Sequence, residues 1–445
     1  MSANGPGDLY KDDYGATVII LSVPYSCFSM RRSCPDLYRD CFHCTGPAFS
    51  GVRGSDRERT IRNEVAGMTI TTAAFIHSEE IDQYHYPANC PFKTERAGET
   101  KRILSSMGYY TGSSRREVAP AAAATGELHM FHTPAYLDML RRVSAGNIRP
   151  EDLAMGIGTD ETPAFKDLYN YSVLAAGGSL TAARLVLEGT VDLAFNPSGG
   201  YHHARPEQAG GFCYVNDVVL ACMALANAGK RVLCLDIDAH HGNGTQEAFY
   251  ASPHVFTISF HESGETLYPW GGKEEEIGEG DGRGYNVNMP FPAGTDDDAY
   301  LSAFRDLVPP LARAFCPDIV VLEIGMDTLS VDPLTHLSMT NNATADMLQQ
   351  VLQFNAPIVA VGGGGYSPAD TARGWALAWS VLCGIELEED MYMGLGGVFL
   401  GSSEWNAGLR DKHFYVRGDE KARVMAAVEK SVESVKKLVF PVHGL

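Results

Sequence analysis

Asp236, Asp238 and His240 stand at alternate positions where an apolar run, Val232 to Leu235, gives way to polar residues. Four to eight apolar residues that stop at polar chemistry read as a buried parallel strand ending at a site. Residues two apart on an extended strand share a side, so these three point one way while Ile237 and Ala239 point the other. Carboxylate and imidazole at that spacing form half of a divalent-metal site. For this segment alone, a hydrogen-bonded polar strand end is the plain alternative. Asp327, just after the apolar run Ile319 to Ile324, is the natural third ligand. Two carboxylates and one imidazole hold Zn²⁺ and leave a position open for substrate. Such oxygen-rich ligation also accepts Fe²⁺ or Mn²⁺. A second metal is not expected, because the positions two beyond His240 and Asp327 are Gly242 and Leu329.

Other strand-like runs end in unusual loops as well. His202 and His203 follow Gly199 and Gly200, which let the backbone turn sharply and present both rings. A His pair is ordinarily surface loop, but Asp236 and Asn243 stand ready to orient one ring each. One histidine to take a proton from water and one to protonate a leaving amine, beside a metal, make an amide hydrolase. Tyr366 follows four glycines, Gly362 to Gly365. No Lys-Ser/Thr follows them, so a phosphate cradle is excluded, and the run instead aims the tyrosine. Its phenol is suited to a developing oxyanion. Phe212, after Gly210 and Gly211, is either ordinary core or the wall of a narrow channel for an aliphatic side chain.

The elements that position these residues alternate strand and helix. Strands are expected at Met68 to His77, Val191 to Phe195, Val232 onward, Val255 to Phe260, Ile319 to Ile324 and Ile358 to Val361. Helices are expected at Ala97 to Met107, Glu127 to Arg142, Tyr169 to Leu187, Asp217 to Ala228 and Asp298 to Phe315. Ser113 to Gly126 reads as a linker or surface loop. The alternation is the signature of a parallel sheet covered on both faces, with ligands outside its carboxyl edge. Residues 1–68 read as a separate extension, with a strand at Ala16 to Val23. There Cys27, Cys34, Cys41 and Cys44 are expected as free thiols, because their spacing matches no common zinc finger. Residues 69–445 read as one catalytic domain.

Composition narrows the partners. The formal net charge of −20 argues against direct nucleic-acid binding and suits a positively charged peptide. No apolar run reaches the roughly 20 residues that cross a bilayer, and the polar start is no secretory signal. Ten cysteines, many in strand-like runs, suggest reduced thiols inside a cell.

Four segments together carry a resemblance: Gly-Tyr-His202-His203-Ala, Gly-Phe212-Cys-Tyr-Val-Asn-Asp, Asp236-Ile-Asp238-Ala-His240-His241-Gly-Asn243-Gly and Gly-Gly-Gly-Gly-Tyr366. The sequence resembles zinc-dependent histone deacetylases and their acetoin-utilisation-type and acetylpolyamine-hydrolysing relatives, in unbroken motif order from about Thr71 to Gly384. The resemblance implies an α/β arginase/deacetylase fold, an eight-stranded parallel sheet with helices on both faces. It implies zinc on Asp238, His240 and Asp327, tandem catalytic histidines at His202 and His203, and a transition-state tyrosine at Tyr366. Substrate contacts would fall on Gly211, Phe212, Tyr268 and Leu334. Glu161, with Asp160 beside it, would form a rim that holds the substrate backbone. One potassium would take backbone oxygens of Asp236, Asp238, His240 and Phe260 with the Ser259 hydroxyl. A second would involve Phe249, Ser252, Val255 and Tyr285. Arg96 would line an acetate-exit channel. The implied partners are acetylated lysine-containing protein tails such as histones, hydroxamate-type inhibitors and corepressor complexes, in nucleus or cytoplasm.

The pattern departs from the family in places. Asn243 and Leu334 stand where the class I type has aspartate and methionine, whereas Glu161-Thr162-Pro163 is more like class I. Cys90 replaces a common histidine before proline, which puts the packing of its loop in question. A small-molecule amidohydrolase and a non-catalytic acetyl-lysine-binding scaffold are the alternative readings.

Overall fold

Strands of alternating apolar residues, buried on both sides, set the register that brings the polar strand ends together. The computed structural model describes residues 69–385, 408–412 and 416–445. Eight strands pair in parallel throughout: β1 (Ala73–Ile76), β2 (Arg115–Val118), β3 (Leu193–Asn196), β4 (Val232–Asp236), β5 (Val255–Glu262), β6 (Asn286–Phe291), β7 (Ile319–Glu323) and β8 (Ile358–Val361). Their order across the sheet is β2-β1-β3-β8-β7-β4-β5-β6. β4 shows why the run is apolar at every position. Leu233 and Leu235 enter one core, with Phe256, Ile258 and Phe260 of β5, while Val232 and Cys234 enter the opposite one.

The helices are α1 (Arg96–Ser106), α2 (Thr125–Leu128), α3 (Pro134–Ser144), α4 (Leu168–Leu187), α5 (Asp217–Asn227), α6 (Asn243–Phe249), α7 (Asp297–Phe315), α8 (Asn341–Val351), α9 (Pro368–Leu382) and α10 (Gly418–Val439). α4, α5 and α6 supply the core on one face, and α1, α7, α8, α9 and α10 supply the other. The doubly covered parallel sheet agrees with the expected fold class.

Several elements differ from expectation, each for a local reason. The helix expected over Glu127 to Arg142 is two helices. Pro134 begins α3 at its first turn, where the missing N–H costs nothing, and Thr133 caps it by accepting from Tyr136 N at 3.4 Å. The supposed linker from Ser113 contains β2, and β6 was not anticipated. Both are edge strands. An edge needs no apolar face on every residue, so β2 is charged and β6 carries Asn286, Asn288 and Pro290. The strand at Val232 ends at Asp236, short of the expected alternation through His240. The segment Ala16 to Val23 and the cysteines Cys27, Cys34, Cys41 and Cys44 lie outside the described residues.

Candidate active site

Beyond Asp236 the regular strand ends, and side-chain bonds join the backbone bonds from Ile237 N to Glu323 O and from Glu262 N to Ala239 O in fixing the chain. Asp238 N donates to Asp236 Oδ1 at 3.0 Å, and His240 N donates to Asp238 Oδ1 at 2.8 Å. These short-range bonds still present Asp238 and His240 together, while Ile237 and Ala239 remain in the core. β7 delivers Asp327, whose Oδ1 accepts from Ala239 N at 2.8 Å. The loop after β8 closes the third side, with Gly364 N donating to Asp238 Oδ2 at 2.6 Å. A Cβ on Gly364 would collide with the carboxylates of Asp327 and Asp238, so this approach requires glycine.

The ligand atoms of Asp238, His240 and Asp327 all lie within 4.8 Å of one another, and all three residues are buried. His240 Nδ1 is 2.9 Å from Asp327 Oδ2 and 3.1 Å from Asp238 Oδ1. Burial alone lowers the His240 pKa, but hydrogen bonds to Asp238 and Asp327 push it up to about 10. Burial, followed by the neighbouring Asp238 charge, pushes Asp327 up to about 7. Two buried carboxylates thus gather positive charge onto one imidazole. A donor set of two oxygens and one nitrogen that draws a cation inward fits a divalent ion.

The paired histidines stand beside this cluster. His202 Nδ1 lies 2.8 Å from Asp236 Oδ2, and His203 Nδ1 lies 2.9 Å from Asn243 Oδ1. Their Nε2 atoms face each other at 3.1 Å. Burial opposes charge on His202, yet Glu323 and Asp236 together carry its pKa well above the usual imidazole range. Burial and the nearby His202 and His240 charges hold His203 well below that range. Two neighbouring rings therefore prefer opposite protonation states.

Glu323 was not anticipated. It ends β7, pairs in register with Asp236, and places Oε1 3.1 Å from His202 Nδ1. Its signal was in the sequence: an acid ending the apolar run Ile319 to Leu322, as Asp236 ends its own run.

The remaining expected residues occupy the walls and the approaches. Phe212 packs against Tyr366 with ring centroids 5.7 Å apart, and Tyr268 against His203 at 5.0 Å. A Cβ on Gly211, which has φ 50°, would strike the His203 ring, so the Gly-Phe turn needs glycine there. Tyr366 is anchored by its own N–H to Asp332 Oδ2 at 2.7 Å, and its ring centroid is 6.1 Å from that of His240. Burial, and then the Asp327 charge, raise its phenol pKa, so it remains a donor. Arg96 lies between Phe92 and Trp375 and donates from Nη1 to Gly365 O at 2.9 Å. Glu161 is exposed, and its carbonyl accepts from Phe212 N at 2.8 Å. Leu334 is exposed too, and its N–H donates to Asp332 Oδ1. Cys90 is buried beside Tyr86 and Phe92, so its loop packs as part of an aromatic cluster.

The residues named for potassium fall in two places. Asp236 and Ser259 are partners across β4 and β5, with Phe260 next along. Val255 opens β5, where Ser252 N donates to Phe249 O and Tyr285 O accepts from Thr257 N. The two groups thus sit toward opposite ends of β5.

A parallel sheet whose carboxyl edge gathers a carboxylate–imidazole cluster, a polarised histidine pair and a buried tyrosine defines a metal-dependent hydrolase. The family model described as histone deacetylase domain matches residues 90–382, and the chain belongs to the histone deacetylase family. Histone deacetylase clr6 of Schizosaccharomyces pombe is 35% identical over 321 residues, covering 72% of this chain and 78% of that one. Histone deacetylase RPD3 of Saccharomyces cerevisiae is 36% identical over 322 residues, covering 72% and 73%. A crystal structure of a deacetylase homologue from Aquifex aeolicus aligns with TM-score 0.71 at 32% identity, covering 81% of this chain and all of that one. A homologue complexed with SAHA aligns at TM-score 0.72 and 31% identity, covering 82% of this chain.

Proposed function

We propose that this chain is a zinc-dependent protein lysine deacetylase, which hydrolyses the acetyl amide of N-ε-acetyl-lysine in histones or other proteins and releases acetate. The carrying observation is the buried Asp238–His240–Asp327 cluster beside two histidines with different partners, His202 between Asp236 and Glu323 and His203 on Asn243. Zinc would be held by Asp238, His240 and Asp327; when bound it supplies Lewis acidity toward the amide carbonyl and the attacking water. Oxygen-rich ligation extends the reading to Fe²⁺.

His203 keeps its Nδ1 proton on Asn243, so Nε2 takes the proton as water oxygen bonds to the acetyl carbon. His202, held cationic between Asp236 and Glu323, keeps positive charge beside the forming oxyanion. The Tyr366 phenol donates to that oxyanion. When the C–N bond breaks, the proton on His203 passes to the departing lysine amine. Phe212 and Tyr268, with Gly211 packed beside His203, would wall the aliphatic stem, and Leu334 would stand at the mouth. Hydroxamate-type inhibitors would enter by the same path. Arg96 would line the route by which acetate leaves. The potassium ions belong to this reading at the two groups around β5. So do a catalytic domain over residues 69–445, acetylated protein tails as partners, corepressor-type assemblies, and work in nucleus or cytoplasm. Among the described residues no helix is long and apolar enough to cross a membrane.

The decisive comparison is hydrolysis of acetyl-lysine peptides against acetylated polyamines, with metal stripped and restored. Peptide turnover that disappears and returns with zinc supports the reading, whereas turnover of polyamines alone would replace it.

The exposed Glu161 carboxylate would accept N–H bonds from an extended peptide, and charged acceptors make the stronger bonds. Glu161→Ala is expected to lower kcat/KM on peptides by about tenfold while sparing a blocked single acetyl-lysine. Equal losses on both substrates would remove the rim role.

Asn243 is neutral, so it gives the protonated His203 ring no compensating charge. Asn243→Asp keeps the shape and adds that charge, which raises the His203 pKa. The base must be deprotonated to act, so the acidic limb of the kcat/KM profile is expected to move to higher pH. An unmoved limb in a folded, metal-loaded variant would show that another group is the base.

A further inference from the structure

Glu262, the last residue of β5, keeps a carboxylate in the interior that neither the apolar cores nor the hydrolytic steps use. Its side chain is fully buried and has three partners. Thr266 Oγ1 and His336 Nδ1 each lie 2.8 Å from Oε1, and His336 N donates to Oε2 at 2.8 Å. Against a carboxylate, His336 Nδ1 serves as a donor. An ionised acceptor makes each of these bonds stronger than a neutral one would. Yet a buried charge adds little stability once its loss of water is counted, and its best-attested use is to fix one arrangement.

The arrangement fixed here is the loop that follows β7. Ser330 N donates to Met339 O and Met339 N to Thr328 O, which closes the loop at its base. Within it, His336 is held by Glu262 and accepts at its own carbonyl from Gly294 N. Thr335 donates its hydroxyl to Asp327 O. Asp332, four residues before His336, accepts from Leu334 N at Oδ1 and from Tyr366 N at Oδ2. Glu262 is also tied to the ligand segment, since its N–H donates to Ala239 O at 2.8 Å. One residue thus refers Tyr366, through the loop, to the stretch that carries Asp238 and His240.

We propose that Glu262 is a positioning residue for the reaction: by clasping His336 it holds the loop in the form in which Asp332 sets the Tyr366 hydroxyl on the oxyanion. The proposal rests on the deacetylase reading and adds to it a group that touches neither substrate nor metal.

The test uses zinc-loaded enzyme and an acetyl-lysine peptide, with His336→Ala, His336→Asn and Glu262→Gln, each alone and combined with Tyr366→Phe. The His336 side chain is 59% exposed, so its truncation leaves the core packed. His336→Ala and Glu262→Gln are expected to lower kcat by about tenfold with KM and zinc content unchanged, because small misplacements at a reacting centre are costly. His336→Asn offers an amide donor close to the place of Nδ1 and should recover most of that loss. With Tyr366→Phe no hydroxyl remains to be misplaced, so neither replacement should lower kcat further. A purely structural clasp would add its loss in both backgrounds. That additivity would overturn the proposal, as would an unchanged kcat, a parallel fall in zinc, or His336→Asn no better than His336→Ala. A wild-type enzyme that turns over no acetyl-lysine substrate would end the deacetylase reading and this proposal with it, and that failure shows without any variant.

Discussion

His240→Ala is expected to abolish activity and bound zinc together. The site offers two carboxylates and one imidazole, and two protein ligands rarely hold zinc tightly. The loss extends beyond one bond. His240 is where Asp238 and Asp327 gather positive charge, with Nδ1 near oxygens of both. Without it, two buried acids face each other and at least one must take up a proton, which further weakens the site for a cation. Losing several kcal/mol of charge stabilisation corresponds to a fall in kcat/KM on the order of 10³ or more. Metal content of the purified, folded variant is measured beside turnover. A variant that folds and retains full zinc would take His240 out of the ligand set.

Tyr366→Phe is expected to behave in the opposite manner: metal and inhibitor binding stay while kcat falls by about 10²–10³, equivalent to ~3 kcal/mol. The ring would stay in place, since it packs on Phe212 and its backbone is held by Asp332 and by Arg96 through Gly365. Only the hydroxyl is lost, and its contribution is largest once negative charge develops on the carbonyl oxygen. Single-turnover rates with zinc content held equal would isolate the step. A change confined to KM would assign Tyr366 to the channel and not to the chemistry.

Much of this site was legible because its residues break patterns that the fold otherwise obeys. Asp236 interrupts an apolar run, His202 and His203 follow paired glycines, and Tyr366 follows four. The central strands were equally plain, since burial on both faces demands continuous apolar sequence. The edges were not. β2 and β6 each have one neighbour, carry polar residues, and so resemble loops when read as sequence. Glu323 was missed for a different reason. Its partners, Asp236 and His202, lie 87 and 121 positions away, and only the pairing of β4 with β7 brings them together. The exact presentation of Asp238 and His240 was also hidden, because it depends on side chain to backbone bonds from Asp236 and Asp238 that no residue pattern announces.

The loops that carry the chemistry are also sewn to one another. Met326 N donates to Gly364 O, Gly363 N to Gly199 O, and Ile324 N to Gly362 O. Gly364 N reaches Asp238, and Tyr366 N reaches Asp332. The ends of β3, β4, β7 and β8 therefore form a single lattice, in which no strand end can shift without straining the others. For evolution this divides the surface in two. The floor leaves little room for drift, because almost any change there is felt at the metal cluster and the histidines at once. Glu161 and Leu334 stand outside the lattice and can vary singly. New substrate preferences in such a protein would then arise by exchanging residues at the mouth, over chemistry that stays fixed.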